Sequence, residues 1–283
     1  MRLLTRTVRG WLLGSLGVGL TLGSLASAVG GQGGDAVLPG ASAPVCLVSS
    51  VCGWSYFICW SVSFWPQVLL NHQRKTVDGL SVDFLVLNVV GFAAYAAYNV
   101  LLFFPTKIRE SYVDSRGEPP GVHMNDVVFA VHALLLTVVS LGQAVVYTRD
   151  ARDLRVLPAT ITFCGACTVG VMAAIRRGPF VLLDALSAVK LASSLSKFVP
   201  QILENRRTHS TIGFSFAQVV LDATGSVLSV SQLLLDAFVL HSLSIIRGNP
   251  AKLGLGAVSM LYDGMLTYQH IIYDEEDVDE PLL

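Results

Sequence analysis

Seven charge-poor stretches, near residues 47–70, 82–104, 126–147, 156–175, 179–203, 213–240 and 253–273, constrain this chain more than any other feature. At about 1.5 Å per helical residue, roughly 20 residues cross a hydrocarbon core of about 30 Å. Backbone groups inside a bilayer must pair within the protein, which leaves helices or closed barrels. No alternating ten-residue pattern accompanies the runs, so strands are excluded. The chain is 53% hydrophobic and 14% charged, with a mean hydropathy of +0.61 over 283 residues, more apolar surface than a soluble domain of this length can bury. The expectation is an all-α membrane protein with seven transmembrane helices. A net charge of -1 and a pI near 6.6 give no basic surface, and nucleic acid is not a partner.

Residues 1–28 read differently. Arg2, Arg6 and Arg9 precede the run WLLGSLGVGLTLGSL, and Ala26-Ser27-Ala28 has the small residues of a cleavage site, the pattern of a secretory signal peptide; an uncleaved eighth helix is the alternative. Residues 29–46 are a short lumenal spacer, and 274–283 an acidic cytosolic tail. Lys and Arg are shared evenly between the loops on the two sides, so charge does not orient the chain. Of the five cysteines at least one is unpaired, and Cys164-Gly-Ala-Cys167 has no His or acidic companion in its apolar run. Helix packing is its expected use, and no metal or cofactor is called for.

Aligning Pro66-Gln67 with Pro200-Gln201 also superposes Asn71 on Asn205, Gly79 on Gly213, Ser81 on Ser215, Asn88 on Asp222 and Gly91 on Gly225. Gln143-x-x-x-Tyr147 and Gln269-x-x-x-Tyr273 close the two copies. The chain therefore reads as a first three-helix repeat over 47–147, a linker helix and loops over 148–178, and a second three-helix repeat over 179–273. One linker helix gives both repeats the same orientation in the membrane, an arrangement suited to rocking about a central site. The Pro-Gln pairs at residues 66–67 and 200–201 are the expected hinges.

The runs WSVSFWPQVLLNHQRKTVDGLSVDFLVLNVVGFAAYAAYN, NDVVFAVHALLLT, VKLASSLSKFVPQ, VVLDATGS, GNPAKLGLG and YDGMLTYQHIIY resemble, in order over about residues 48–273, the successive signatures of the PQ-loop family of cystine/proton symporters. The resemblance implies seven helices as two parallel repeats, a lumenal N-terminus and a cytosolic C-terminus. It implies export of L-cystine with H+ from a lysosomal or vacuolar lumen by alternating access, and hence a carrier rather than an enzyme. The chain departs from animal members in its short lumenal segment and in a tail without a Tyr-based sorting signal. Asp279, Leu282 and Leu283 instead resemble an acidic dileucine address read by sorting adaptors; a solvated acidic end is the other reading.

Ionisable groups inside membrane runs are costly and face a cavity or a partner. Asp222 and Asp263 lie about ten residues into their runs, beyond the reach of a helix cap. Asp126 begins its run, where capping competes with the proton path that the resemblance implies. Asp184 and Lys197 lie toward run ends, where snorkelling is open to them. Cystine carries two ammonium and two carboxylate groups about an apolar disulfide, and each needs a partner. By resemblance these come from Trp60, Asn88, Lys190, Gln201, Asn205 and Asp222, with Asp222, Asp263 and Asp126 coupling the proton. Interhelical hydrogen bonding remains open for Asn88 and Asn205, an interfacial position for Trp60, and a structural ion pair for Lys190 with Asp222. Three further readings fit the same helices: a PQ-loop carrier of a cationic amino acid, a seven-helix receptor that binds without transporting, and a structural or chaperone-like membrane subunit that does neither.

Overall fold

The computed structural model describes residues 5–28, 42–116, 122, 124–148, 154–239 and 250–273, and every regular element among them is an α-helix. The helices are α1 (Arg6–Ala28), α2 (Ala43–Val62), α3 (Phe64–Arg74), α4 (Val82–Phe103), α5 (Thr106–Arg116), α6 (Met124–Tyr147), α7 (Pro158–Ile175), α8 (Pro179–Ser196), α9 (Phe198–Thr208), α10 (Phe216–Val239) and α11 (Pro250–Tyr273). Among the described residues, seven segments are long and apolar enough to cross a membrane: α1, α2 with α3, α4, α6, α7, α8 with α9, and α10. Six of them coincide with runs read from the sequence. The seventh is α1, while α11 forms where the last run was read but carries Lys252, Asp263, Gln269 and His270. The protein is an all-α, multi-pass membrane protein. All five cysteines are free thiols.

The spans α2–α3 and α8–α9 are each interrupted at a single residue, Ser63 and Lys197. Both breaks lie three residues before a proline, Pro66 or Pro200. The pyrrolidine ring lacks an N–H and presses on the carbonyl four residues back, so the helix cannot run through unaltered. Side-chain donors gather there: Ser63 Oγ donates to the Trp60 carbonyl at 2.8 Å, and Ser196 Oγ to that of Ala192 at 2.7 Å.

The two spans also end alike. Lys75 and His209 adopt left-handed conformations, φ 54° and 50°, directly after α3 and α9, the usual stop for a helix. Turns follow in which Leu80 N donates to Val77 O at 2.9 Å and Phe214 N to Thr211 O at 3.1 Å. Their third residues, Gly79 and Gly213, have φ of 88° and 105°, a region in which a Cβ is strained. The repeat read from the sequence thus extends to backbone conformation.

The helices form two compact units, one of Met1–Gln67 with Thr208–Leu283 and one of Val68–Arg207. In the first, α2 packs on α1 and α10, and α10 packs on α11. Gly19 and Gly23 allow α1 to approach closely, since a Cβ on either would stand 2.5 Å from the Cα of Ser55 or Val51. In the second, α4 packs on α6 and α8, and α7 packs on α8 and α4. A Cβ on Gly91 would stand 2.8 Å from that of Ser193. Each unit therefore joins the first helix of one repeat to the middle helix of the other: α2 with α10, and α8 with α4.

Candidate transport site

The glutamines of the two Pro-Gln pairs are buried and each makes hydrogen bonds to distant backbone. Gln67, 2% exposed, accepts from Ser215 N at 2.7 Å and donates to Gly213 O at 2.9 Å. Gln201, fully buried, accepts from Ser81 N at 2.8 Å and donates to Gly79 O at 2.8 Å. Each amide thus pairs with the backbone of the Gly-x-Ser turn belonging to the other repeat. A left-handed glycine aims the carbonyl at the amide nitrogen, and the serine two residues on presents its N–H to the amide oxygen. Ser81 also caps α4 by accepting from Phe84 N at 3.3 Å. Gln201 Nε2 further donates to Asn205 Oδ1 at 2.8 Å, which fixes the buried Asn205.

In the first unit the structure brings Trp60 and Asp222 together. Trp60 Nε1 donates to the backbone oxygen of Asp222 at 3.3 Å, and the indole lies against Gly225, where a Cβ would stand 2.6 Å from Trp60 Cδ1. Tyr56 meets the Trp60 ring edge-on at 5.2 Å. Asp263 of α11 is 1% exposed and lines a groove with Ala223 and Val227, beside and one turn beyond Asp222 on α10. At the far end of α11, His270 stacks on Phe216 at 4.0 Å, and its Nδ1 lies 2.9 Å from Thr211 Oγ1.

In the second unit Asn88 is buried in α4 and donates to Phe84 O at 2.9 Å. Lys190 Nζ lies over the rings of Phe92, 3.8 Å from the centroid, and Tyr95, 5.3 Å. These cation–π contacts are worth about 0.5–2 kcal/mol and hold an ammonium without neutralising it. Asp126, in the first turn of α6, is an electrostatic neighbour of Tyr95. Lys197 lies 4.4 Å from the Phe198 centroid, and Asp184 is exposed. Asn71 Nδ2 donates to Gln143 Oε1 at 3.0 Å, and Gln143 Nε2 to Val68 O at 2.9 Å. The Gln-x-x-x-Tyr ending of the first repeat is thereby a clamp on α3. Asp279, Leu282 and Leu283 lie outside the described residues.

Two acidic residues escaped the sequence reading. Asp83, 6% exposed, accepts from Leu157 N at 2.9 Å and ties the start of α7 to α4. Asp236, near the end of α10, accepts from Ser49 Oγ at 2.7 Å, while Gln232 Nε2 donates to Ser49 O at 3.1 Å. Both sit near the ends of apolar runs, where a charge reads as a boundary. For Asp236 the available signal is Gln232 and Ser229, one and two helical turns back on the same face; Asp83 has no such neighbour on α4.

The PQ loop repeat family matches residues 48–108 and 182–242. A cystinosin homologue of Caenorhabditis elegans is 38% identical over 241 residues, which are 82% of this chain and 59% of that protein. One from Dictyostelium discoideum is 35% identical over 230 residues, covering 80% of this chain and 81% of the relative. A cystine transporter of Saccharomyces cerevisiae is 26% identical over 246 residues, 80% and 94% of the two chains. The chain thus spans 59% of the nematode relative's length and most of the other two.

Proposed function

Because this chain belongs to the cystinosin homologues of the PQ-loop family, we propose that it is a carrier moving L-cystine together with a proton out of an acidic organelle, lysosome or vacuole, into the cytosol. The observation that carries this reading is the contact of Trp60 with the Asp222 backbone on α10, with Asp263 on the adjacent α11: an aromatic side chain and two carboxyl-bearing residues set among apolar helices. A buried carboxyl is the group such a carrier needs, because it can bind and release a proton reversibly. One coupled proton supplies about 1.36 kcal/mol per pH unit and about 2.3 kcal/mol per 100 mV. Asp222 is the coupling group. It stands where the first repeat has Asn88, which keeps similar hydrogen-bonding ability but cannot take up a proton. Asp263 and Asp126 are further stations on the proton path. Trp60, Asn88, Lys190, Gln201 and Asn205 meet the four charged groups and the disulfide of the substrate. The tail residues Asp279, Leu282 and Leu283 engage sorting adaptors on the cytosolic side.

The test is uptake of labelled cystine by proteoliposomes under a pH gradient. Wild-type protein accumulates cystine in proportion to the gradient, and Asp222→Asn binds cystine without gradient-driven uptake. Gradient-driven uptake by Asp222→Asn at the wild-type rate would overturn the assignment. Accumulation of lysine in place of cystine would overturn the substrate.

A further inference from the structure

Helix α10 carries five polar residues on one face: Asp222, Ser226, Ser229, Gln232 and Asp236. Their spacings of four, three, three and four keep them within a single stripe of the helix. Ser226, Ser229 and Gln232 are completely buried, and Asp236 is half-buried near the end of the helix remote from the Gly213 turn. Helix α2 runs antiparallel along this region, since Trp60 meets Asp222 and Gly225 while Ser49 meets Gln232 and Asp236. That register sets Gly53 of α2 at the level of Ser229.

The two serines do not behave as serines in membrane helices usually do. A buried hydroxyl there returns its hydrogen bond to the carbonyl four residues back, as Thr224 does to Val220 at 2.7 Å and Ser196 does to Ala192 at 2.7 Å. Ser226 Oγ and Ser229 Oγ make no hydrogen bond among the described residues, although both are out of contact with solvent. A buried hydroxyl left without a partner destabilises the fold, a penalty that a water or a ligand relieves.

We propose that this face of α10 is a proton file, with Asp236 as its port, the Ser226 and Ser229 hydroxyls as relay groups, and Asp222 as its terminus. The inference rests on the coupling role given above to Asp222. It assigns to Asp236, Ser226 and Ser229 a part in the same reaction. From Asp236 to Asp222 the path is about 21 Å, fourteen residues at about 1.5 Å. Ser229 to Ser226 and Ser226 to Asp222 are three and four residues apart, with Cβ atoms about 5–6 Å apart, so one bridging water completes each of those hops. Asp236 and Ser229 are seven residues apart, about 10.5 Å along the helix, and a file of several waters past Gln232 spans that first hop. In each hop a hydroxyl oxygen takes a proton from one side while releasing its own to the other, so the serines are unchanged after the transfer. Gln232 carries no proton; it anchors Ser49, whose hydroxyl then donates to Asp236. On α2, Cys52 is an electrostatic neighbour of Asp236, with Cys46 one turn before Ser49 and Tyr56 and Cys59 farther along. Helix α11 brings Asp263 at the level of Ala223, and the side chain of Lys252 lies outside the described residues. Helix α1 brings Arg6 and Arg9, at the end of that helix away from Ser50.

The experiment follows the protonation of Asp222 in the full-length protein by time-resolved infrared spectroscopy after a pH jump, its band being identified as the one absent from Asp222→Asn. Ser226→Ala with Ser229→Ala is expected to slow that protonation at least tenfold, and Asp236→Asn to weaken its dependence on the final pH. Ser229→Ala alone, which removes one oxygen making no hydrogen bond, decides the matter if the double variant does not fold. Unchanged protonation kinetics in these variants overturn the file. Cystine uptake measured on the same preparations separates the two ideas: loss of wild-type uptake sinks the transport reading, while the kinetics still decide whether the hydroxyls relay protons.

Discussion

Replacing Gln67 by methionine keeps the length of the side chain and removes both of its backbone hydrogen bonds. Ser215 N–H and Gly213 C=O, now paired at 2.7 and 2.9 Å, are left buried without a partner. An unmet buried donor or acceptor costs about 1–3 kcal/mol, so the pair costs about 2–6 kcal/mol. The gain from the more apolar side chain offsets little of this, because the turn backbone beside it stays polar. In chains of 150–250 residues about 1 kcal/mol lowers Tm by about 2–4 °C, which puts the expected drop at about 4 °C or more. The assay is thermal unfolding of the detergent-solubilised protein, with Gln73→Met as the control at an exposed glutamine in the same helix. Gln201→Met should fall further, because Asn205 also loses the donor that fixes it. A Gln67→Met variant that melts with the Gln73→Met control would refute the reasoning, since the two turn groups would then have found other partners.

Gly225→Ala drives a Cβ into the Trp60 indole, 2.6 Å away, and should raise the KM for cystine several-fold while the chain still folds; an unchanged KM would detach Trp60 from the substrate. Asp83→Ala leaves Leu157 N–H without its acceptor and should cost about 1–3 kcal/mol, read as a lower Tm, with Asp83→Asn retaining most of the stability. A tag after residue 283 should be cleaved by protease added to intact organelles, and its protection would reverse the proposed orientation. Changing Leu282 and Leu283 to Ala should shift the protein toward the cell surface, and unaltered organelle staining would remove the adaptor role.

Much of this architecture is written in local sequence. The run near 126–147 becomes α6, that near 213–240 becomes α10, and the prolines at 66 and 200 mark the breaks at Ser63 and Lys197. These features depend on neighbours a few residues away, so hydropathy and proline chemistry reveal them. Helix α5 was missed because TKIRESYVDSR has no apolar run to announce it. The recurrence of Gly-x-Ser after each Pro-Gln pair was visible, but its meaning was not. The amide of Gln67 reaches a turn nearly 150 residues on, and a one-dimensional alignment of repeats shows likeness without showing contact. For the site, Trp60 touches the Asp222 backbone and Lys190 lies over Phe92 and Tyr95, contacts between distant stretches that a linear reading does not show.

The pairing of α2 with α10 also sets an order of events during synthesis. About 150 residues separate the end of α2 from the start of α10, roughly 8–30 s of translation at about 5–20 residues per second. Through that interval Ser49 and Trp60 are in the membrane without Gln232, Asp236 and Asp222, while Val68–Arg207, one uninterrupted stretch, can finish its own packing. The neighbour available to α2 at once is α1, which closes over its small-residue face at Gly19 and Gly23. A ribosome stalled just after Arg207 would therefore leave one unit with all of its helices and the other with only α1, α2 and the start of α3.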